Sequence, residues 1–191
     1  KAIFTLMATD FSEVKADGTD SVAAKYTYQM NLNTSFTGDD NLYVRLKTGN
    51  YTGAFASKTY GAYLTSANTA ADDLKVDKIW YQFPVGERNT FWVGPKIENY
   101  YMLAATPSVY KPGVYKAFKL GGHGAAFGAS TSTGAGLKYE AENGFASSVT
   151  VNSKGASKST KGLLTDEDTS KVNTMVAYTA DQYHASVTYS K

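Results

Sequence analysis

The stretch KYTYQMNLNTSF, from Lys25 to Phe36, decides the fold class. Its large apolar side chains all lie at even positions, which are Tyr26, Tyr28, Met30, Leu32 and Phe36. Every odd position from Lys25 to Ser35 is polar. Because successive side chains of a β-strand point to opposite faces, the stretch predicts a strand with one apolar and one polar face.

The same alternation recurs along the chain and predicts about nine strands, whereas no segment has the 3.6-residue period of a helix. The predicted strands are Lys1–Thr9, Lys25–Phe36, Leu42–Lys47, Ile79–Phe83, Thr90–Gly94, Ala135–Ala141, Phe145–Asn152, Val172–Thr179 and Tyr183–Ser190.

Composition excludes several classes of protein. The chain has 191 residues and a net charge of +2, so bulk electrostatics give no reason to expect nucleic acid as a partner. It has no cysteine, which excludes disulfides and thiolate chemistry, and its 15 Tyr and 9 Phe favour β structure. No apolar run approaches the roughly 18 to 20 residues of a membrane-spanning helix.

The connections between the predicted strands alternate in length. The long ones are Asp10–Ala24, Thr48–Asp73, Pro95–Thr133 and Ser153–Lys171. The short ones are Thr37–Asn41, Pro84–Asn89, Glu142–Gly144 and Ala180–Gln182. Transmembrane β-barrels likewise have short turns at one rim, long loops at the other, and strands of about 9 to 11 residues.

Aromatic residues occupy the outward positions beside the short turns, as the girdle of a membrane barrel requires. They are Phe36, Phe83, Phe91, Tyr139, Phe145, Tyr178 and Tyr183. The sequence therefore predicts an all-β fold, a transmembrane antiparallel up-and-down β-barrel in a bacterial outer membrane. Leu74 to Asp77 alternates in the opposite phase to the strand that follows, which requires a β-bulge near Asp77 and Lys78 or an early exit from the membrane.

Two motifs suggest a family. Residues 31–38 read NLNTSFTG and residues 42–50 read LYVRLKTGN. Together they resemble the "LNLNTSFTG…LRLQAGN" segment of cyanobacterial outer-membrane porins, which are related to the carbohydrate-selective porin superfamily and are often labelled iron-uptake porins. KIWYQFPVG, residues 78–86, followed by Val93 and Gly94, resembles the "KLYYRFPLG…VTVGA" hairpin of that family. The remainder of the chain is similar by pattern only.

The resemblance implies a barrel of roughly sixteen strands. It also implies a homotrimer, a signal peptide, and a periplasmic domain that attaches the porin to the cell wall. Residues 1–191 are then expected to be part of one barrel domain, without the N-terminal signal and periplasmic domain and without the C-terminal strands. Nine strands alone leave open sheet edges, which lipid does not tolerate.

If the apolar positions face lipid, the polar ones line a water-filled lumen, because unpaired charges in a dry core would each cost several kcal/mol. The predicted pore-lining residues are Lys25, Gln29, Asn31, Asn33, Arg45, Lys47, Lys78, Gln82, Lys138 and Glu140, with Thr27, Trp80 and His184 on the same side. The predicted lipid-facing residues are Tyr28, Met30, Leu32, Phe36, Val44, Leu46, Phe83 and Phe91.

The longest connection, Pro95–Thr133, is predicted to fold into the channel and narrow it. Its candidate constriction residues are Tyr100, Tyr101, Lys111, Tyr115, Lys116 and Lys119. The connection has no acidic residue after Glu98, and rings of lysine at a constriction favour anions. We therefore expect a passive pore for small solutes, mainly inorganic ions, with a weak preference for anions.

No set of residues indicates an enzyme, a metal site or a cofactor. His123 and His184 lack the spacing of metal ligands, and the glycine-rich residues 121–128 lack the pattern of a phosphate-binding loop. The acidic residues at 17–20 and 166–168 lack the spacing of a calcium-binding loop, so solvated loop charges are the simpler interpretation.

Two other functions stay open at this stage. One is a substrate-selective uptake channel for carbohydrate or iron, in which tyrosines and Trp80 would stack on sugars. The other is a soluble or surface-attached β-sandwich that acts as a binding module. The partners expected for the barrel are outer-membrane lipid, small ions or solutes in transit and further copies of the chain, and no nucleic acid.

Overall fold

The computed structural model describes residues 1–8, 22–56, 63–105, 114 and 130–191. Its nine strands are β1 (Ala2–Met7), β2 (Ala23–Thr34), β3 (Asn41–Gly49), β4 (Lys75–Val85), β5 (Asn89–Glu98), β6 (Thr131–Glu140), β7 (Phe145–Ser153), β8 (Ser170–Thr179) and β9 (His184–Ser190). Two short 3₁₀ helices, Gly53–Ala56 and Asn99–Tyr101, are the helical elements among these residues.

The strands form one antiparallel sheet in which spatial order follows chain order from β1 to β9. Each strand therefore pairs with the next along the chain, as in an up-and-down barrel wall. This confirms the predicted all-β, up-and-down arrangement and the number of strands. In the part of the chain that the structure describes, no helix is long and apolar enough to cross a membrane.

The predicted start of the longest connection was wrong by four residues, because β5 continues through Pro95 to Glu98. Tyr81 pairs with Val93 whereas Ile79 pairs with Lys96, so β5 carries one extra residue between these pairs. Such a bulge leaves one residue outside the hydrogen-bond ladder between the strands. A strand can therefore tolerate a proline there, because proline has no backbone N–H group to donate. The strand β6 begins at Thr131, four residues before its predicted start. Its first residues are threonine, serine and glycine, so they show no alternation of apolar and polar side chains that would indicate a strand.

The described residues fall into two compact units. The first unit holds those within 1–31, 45–77 and 110–122, and the second unit holds those within 32–44, 78–109 and 123–191. In the first unit, Met7, Tyr51 and Leu64 form a buried apolar cluster with Phe55 packed against it.

Part of the connection between β3 and β4 packs on the sheet in the first unit. The hydroxyl of Thr27 donates to the carbonyl oxygen of Ser66 at 2.6 Å, and the Tyr51 hydroxyl lies 2.6 Å from the Thr5 hydroxyl. The N–H group of Tyr51 donates to the carbonyl oxygen of Asn68 at 3.0 Å. Residues 63–70 therefore pack on the side of β1 and β2 that carries Thr5 and Thr27.

The second unit exposes apolar residues on one side of its sheet. Leu137, Val149, Thr174 and Tyr189 are successive cross-strand partners on one side of β6 to β9. On that side Val149 is 49% exposed, whereas the adjacent Thr150, on the opposite side, is 0% exposed. A water-soluble sheet has the reverse polarity, with its apolar face packed on a core. We call this exposed side the apolar face.

Candidate functional site: the polar face of the sheet

The polar face is the side of β4 to β8 opposite the apolar face. Its residues include Trp80, Gln82, Trp92, Gly134, Gly136, Lys138, Ser148, Thr150, Asn152, Asn173 and Met175. A row of direct cross-strand partners runs across it from Gln82 through Trp92, Gly136 and Thr150 to Asn173. Period-two side-chain geometry places all of these residues on one side of the sheet.

A buried ion pair joins β4 to the end of β5. The Nζ atom of Lys78 lies 2.5 Å from Oε1 of Glu98, and the two side chains are 2% and 16% exposed. Nζ also donates to the Thr131 hydroxyl at 3.5 Å and lies 5.9 Å from the ring centroid of Tyr101. The Tyr100 hydroxyl donates to the other carboxylate oxygen of Glu98. Lys78 therefore holds these elements together instead of presenting its charge to solvent.

Three predicted pore-lining residues meet around Trp92, which sequence analysis did not assign to the pore. The Nζ atom of Lys138 lies 5.5 Å from the Trp92 ring centroid and 2.7 Å from Oε2 of Glu140. The indole N–H of Trp92 donates to Oε1 of Gln82 at 3.0 Å. The ammonium group is thus shared between a ring face and a carboxylate, both of which attract cations.

Two further predicted pore-lining cations lie in the first unit with polar partners. The guanidinium of Arg45 forms an ion pair with Asp77, with Nε 2.5 Å from Oδ2. The Nζ atom of Lys25 donates to the Thr52 hydroxyl at 3.4 Å. Lys47 is half-buried.

The predicted pore-lining amides form local hydrogen bonds along β2. The side chain of Gln29 donates to Oδ1 of Asn31 at 2.8 Å. Asn33 accepts a hydrogen bond from the side chain of Asn41 at 3.2 Å, at the short turn between β2 and β3. Asn31 and Asn33 are both exposed.

A segment after β5 folds onto the polar face. We call residues 99–105 the inner segment. Its Met102 is 0% exposed and Leu103 is 4% exposed, although both are apolar residues in a connection. Met102 packs in one cluster with Trp80, Trp92 and Ile97. The described residues at the start of this connection therefore lie against the polar face, and narrowing of a channel by the connection stays a prediction.

Small residues of the polar face make room for the inner segment. A Cβ atom on Gly136 would lie 2.8 Å from both Cβ and Sδ of Met102, closer than side-chain contacts allow. The N–H group of Ala104 donates to the hydroxyl of Ser148 at 2.8 Å, and that of Ala105 donates to Sδ of Met175 at 3.3 Å. These two backbone N–H groups are not part of a strand ladder, and they donate instead to side chains of the sheet.

Two of the candidate constriction residues belong to the inner segment. The ring centroids of Tyr100 and Tyr101 are 4.8 Å apart, and that of Tyr101 lies 5.9 Å from the ring of Trp80. Trp80 in turn lies 4.9 Å from the ring of Tyr43 on β3. The other candidates, Lys111, Tyr115, Lys116 and Lys119, lie outside the described residues.

The predicted lipid-facing residues are exposed or half-buried. Tyr28, Leu32 and Phe36 are exposed. Met30, Val44, Leu46, Phe83 and Phe91 are half-buried. The aromatic residues near the short turns touch one another, because the ring centroids of Phe83 and Phe91 are 5.3 Å apart and those of Phe36 and Tyr81 are 6.2 Å apart.

A carboxylate organises the turn between β2 and β3. Asp40 accepts hydrogen bonds from the hydroxyls of Ser35 and Tyr81, both at 2.6 Å, and from the N–H and hydroxyl of Thr37, both at 2.8 Å. The hydroxyl of Ser35, followed by that of Tyr81, holds the pKa of Asp40 well below its usual range. Hydrogen bonds to the charged form lower the pKa of a carboxylate because they stabilise that form.

Sequence reasoning missed Trp92, Glu98 and Asp40. The signal for Trp92 was present, since it stands between the outward-facing Phe91 and Val93 and must point the other way. Glu98 had no such signal because the bulge in β5 changes the alternation before it. Asp40 was recognised only as part of a turn, and its bond to Tyr81 joins residues that are 41 positions apart.

The comparison with known protein families decides between the classes that the sequence left open. The sequence profile of the carbohydrate-selective porin family, OprB, matches residues 10–188. The chain belongs to this family. The match covers the NLNTSFTG motif, the seven strands β2 to β8 in full, and β9 except for its last two residues. No curated protein and no solved structure matches the chain.

Membership in the OprB family agrees with the polarity of the sheet. Porins of this family are channels of the outer membrane with β-barrel folds, which accounts for an apolar face that is exposed to its surroundings. It also accounts for a polar face that carries charged and aromatic side chains, because the lumen of such a barrel is polar. The family is one of channels and not of enzymes.

Proposed function

We propose that this porin forms a water-filled outer-membrane channel through which small hydrophilic solutes, and sugars in particular, diffuse passively. The observation that carries the proposal is the polar face, which combines aromatic rings with hydrogen-bonding and charged side chains in a member of the carbohydrate-selective porin family. The apolar face would contact outer-membrane lipid, since exposed valine and leucine side chains suit hydrocarbon.

Aromatic residues are the feature of the polar face that suits sugars. Tyr43, Trp80 and Tyr101 form a run of rings with centroid separations of 4.9 and 5.9 Å. Tyr43 and Tyr101 are half-buried, so part of each ring is accessible. A tyrosine offers an apolar ring face for the C–H groups of a sugar and a hydroxyl for hydrogen bonds. The rings would therefore slow and select sugars in transit.

The ion pore with a weak preference for anions, which we expected from the sequence, has less support. Three of the predicted pore-lining cations, Arg45, Lys78 and Lys138, each form an ion pair with a carboxylate. Their positive charges are compensated locally, so they add little to a field that would attract anions. Iron uptake, a homotrimer and attachment to the cell wall stay predictions.

Blocking of the ion current by sugars tests the proposal. The intact porin is reconstituted in planar bilayers and titrated with oligosaccharides, with Tyr43→Ala and Tyr101→Ala as test variants. The matched control is Tyr178→Ala, because Tyr178 is a 40% exposed tyrosine on the apolar face. We expect the test variants to raise the half-blocking concentration by about 2- to 10-fold, as the loss of an aromatic contact predicts. The absence of any saturable block by sugars would contradict the proposal.

A further inference from the structure

A cavity of about 560 Å³ lies in the first unit, in the connection that leads from β3 to β4. Residues that line it include Asn50, Thr52, Gly53, Thr69, Ala71 and Asp72. Its volume lies within the range of about 300 to 1,000 Å³ that small-molecule sites occupy. None of these residues belongs to the run of rings on the polar face, so the cavity differs from the site of the proposed function.

The cavity presents accessible polar groups. Thr52, Thr69 and Asp72 are exposed, and Asn50 is half-buried. One carboxylate oxygen of Asp72 accepts a hydrogen bond from the Tyr26 hydroxyl, whereas the other has no partner within the described residues. Oδ1 of Asn50 accepts from the N–H group of Tyr26 at 2.9 Å, and its NH₂ group has no partner among the same residues. The cavity therefore offers a carboxylate oxygen, an amide NH₂ group and two hydroxyls to a ligand.

The turn that carries Asp72 has an unusual backbone conformation. Ala71 and Asp72 have φ angles of 54° and 68°, in the left-handed region that residues other than glycine rarely adopt. The N–H group of Ala70 donates to Oδ1 of Asn68 at 2.9 Å, and that of Asp73 donates to the carbonyl oxygen of Ala70 at 3.1 Å. Such conformations persist where surrounding contacts impose them, and they are concentrated at ligand-binding sites. These hydrogen bonds therefore fix the position of Asp72 before any ligand binds.

The charges around the cavity balance. Among the lining residues that the structure describes, Asp72 is the only one with a charged side chain. The ammonium group of Lys25 donates to the hydroxyl of Thr52 at 3.4 Å, so a positive charge also borders the cavity. One negative and one positive group favour a neutral ligand, because either of them would repel an ion of its own sign.

We propose that this cavity is a binding subsite for a neutral sugar. The carboxylate of Asp72 accepts hydrogen bonds from sugar hydroxyls, and such charge-assisted bonds are about twice as strong as neutral ones. The amide of Asn50 and the hydroxyl of Thr69 donate to sugar oxygens, and Ala71 adds apolar surface beside them. The choice of a sugar among neutral polar solutes rests on the proposed function, whereas the site itself rests on the cavity and its groups.

Protection of a single thiol from labelling tests this site locally. The chain has no native cysteine, so Thr69→Cys places one thiol in the lining of the cavity in the intact, detergent-solubilised porin. We expect glucose to slow the reaction of this thiol with a maleimide in a saturable manner. The matched control is Ser157→Cys, an exposed position in the second unit, where glucose should leave the labelling rate unchanged.

Two substitutions in the Thr69→Cys background test the role of Asp72. Asp72→Asn should raise the half-protecting glucose concentration by about tenfold, as the loss of a hydrogen bond to a charged group predicts. Asparagine accepts a left-handed backbone conformation, so this variant should retain the turn. The control is Asp73→Asn, which removes a 70% exposed carboxylate that does not line the cavity and should leave the half-protecting concentration unchanged.

Three results would overturn the proposal. The absence of protection at position 69, or equal protection at position 157, would show that glucose does not occupy the cavity. Equal effects of Asp72→Asn and Asp73→Asn would show that Asp72 is not a ligand. Protection by choline and not by glucose would identify a site for organic cations instead. Because the thiol reports on this cavity alone, failure here leaves the block of the ion current by sugars intact, and failure of that block leaves the protection intact.

Discussion

The ammonium group of Lys78 lies 2.5 Å from the carboxylate of Glu98, and both side chains are largely buried. The pair links the middle of β4 to the last residue of β5, directly before the inner segment begins. Breaking a buried ion pair is costly because the remaining charge stays in a poorly solvated place without compensation. Glu98 therefore fixes where the chain leaves the strand and crosses the polar face.

Glu98→Gln is expected to lower the free energy of unfolding by about 3 to 5 kcal/mol, because Lys78 would remain buried with a neutral partner. Urea unfolding of the detergent-solubilised porin, followed by heat-modifiable gel mobility, measures the change. The matched control is Glu140→Gln, since Glu140 is 55% exposed where it pairs with Lys138. An exposed pair contributes about 0 to 1 kcal/mol. Equal losses in the two variants would contradict a structural role for Glu98.

Gly136→Val is expected to displace the inner segment, because the new side chain would occupy the position of Met102. Overpacking of this kind costs about 1 to 3 kcal/mol, and the displaced segment would widen the channel and raise the single-channel conductance. Bilayer recordings measure the change.

Two further variants serve as controls for the conductance and stability of Gly136→Val. Ala135→Val introduces the same side chain at the neighbouring position on the opposite side of β6, and the conductance of this variant should equal that of the wild type. Combining Gly136→Val with Met102→Ala should restore much of the lost stability. Unchanged conductance in Gly136→Val would indicate that the inner segment does not narrow the channel.

The turn at Asp40 is expected to lose stability in acid. Hydrogen bonds from the hydroxyls of Ser35 and Tyr81 lower the pKa of Asp40 in the folded protein. The stability that they contribute is therefore fully present above the unfolded pKa of about 4 and is lost as the pH falls below it. Urea midpoints measured between neutral pH and about pH 3 should fall less in Asp40→Asn than in the wild type. Asp39→Asn, which changes the exposed neighbour, should keep the wild-type profile.

The sequence predicted the strands and their faces because covalent geometry gives a strand its period of two. The alternation in KYTYQMNLNTSF and in the later strands needs no knowledge of distant residues. The alternation could not predict that the inner segment covers part of the polar face, since this packing depends on contacts between distant parts of the chain. The bond from Ala105 to Met175, for example, spans 70 positions. The sequence also placed the end of β5 too early, because the bulge at Pro95 interrupts the alternation that marks a strand.

The opening stretch also offers a matched pair of charge substitutions. Leu32 is predicted to face lipid and the adjacent Asn31 is predicted to face the lumen. Leu32→Arg is expected to disfavour membrane insertion by about 2 to 4 kcal/mol if the residue lies near the bilayer midplane. Asn31→Arg should insert like the wild type and shift the ion selectivity of the channel. Refolding yields in phospholipid vesicles compare the two, and equal yields would contradict the assignment of the faces.

Labelling of single cysteines tests most directly whether the polar face meets water and the apolar face meets lipid. The chain has no native cysteine, so Lys138→Cys and Leu137→Cys each introduce one thiol, on opposite sides of β6. In the intact porin reconstituted in vesicles, a membrane-impermeant maleimide should label the thiol at position 138 rapidly and leave the thiol at position 137 unreacted. Faster labelling at position 137 than at position 138 would contradict the account.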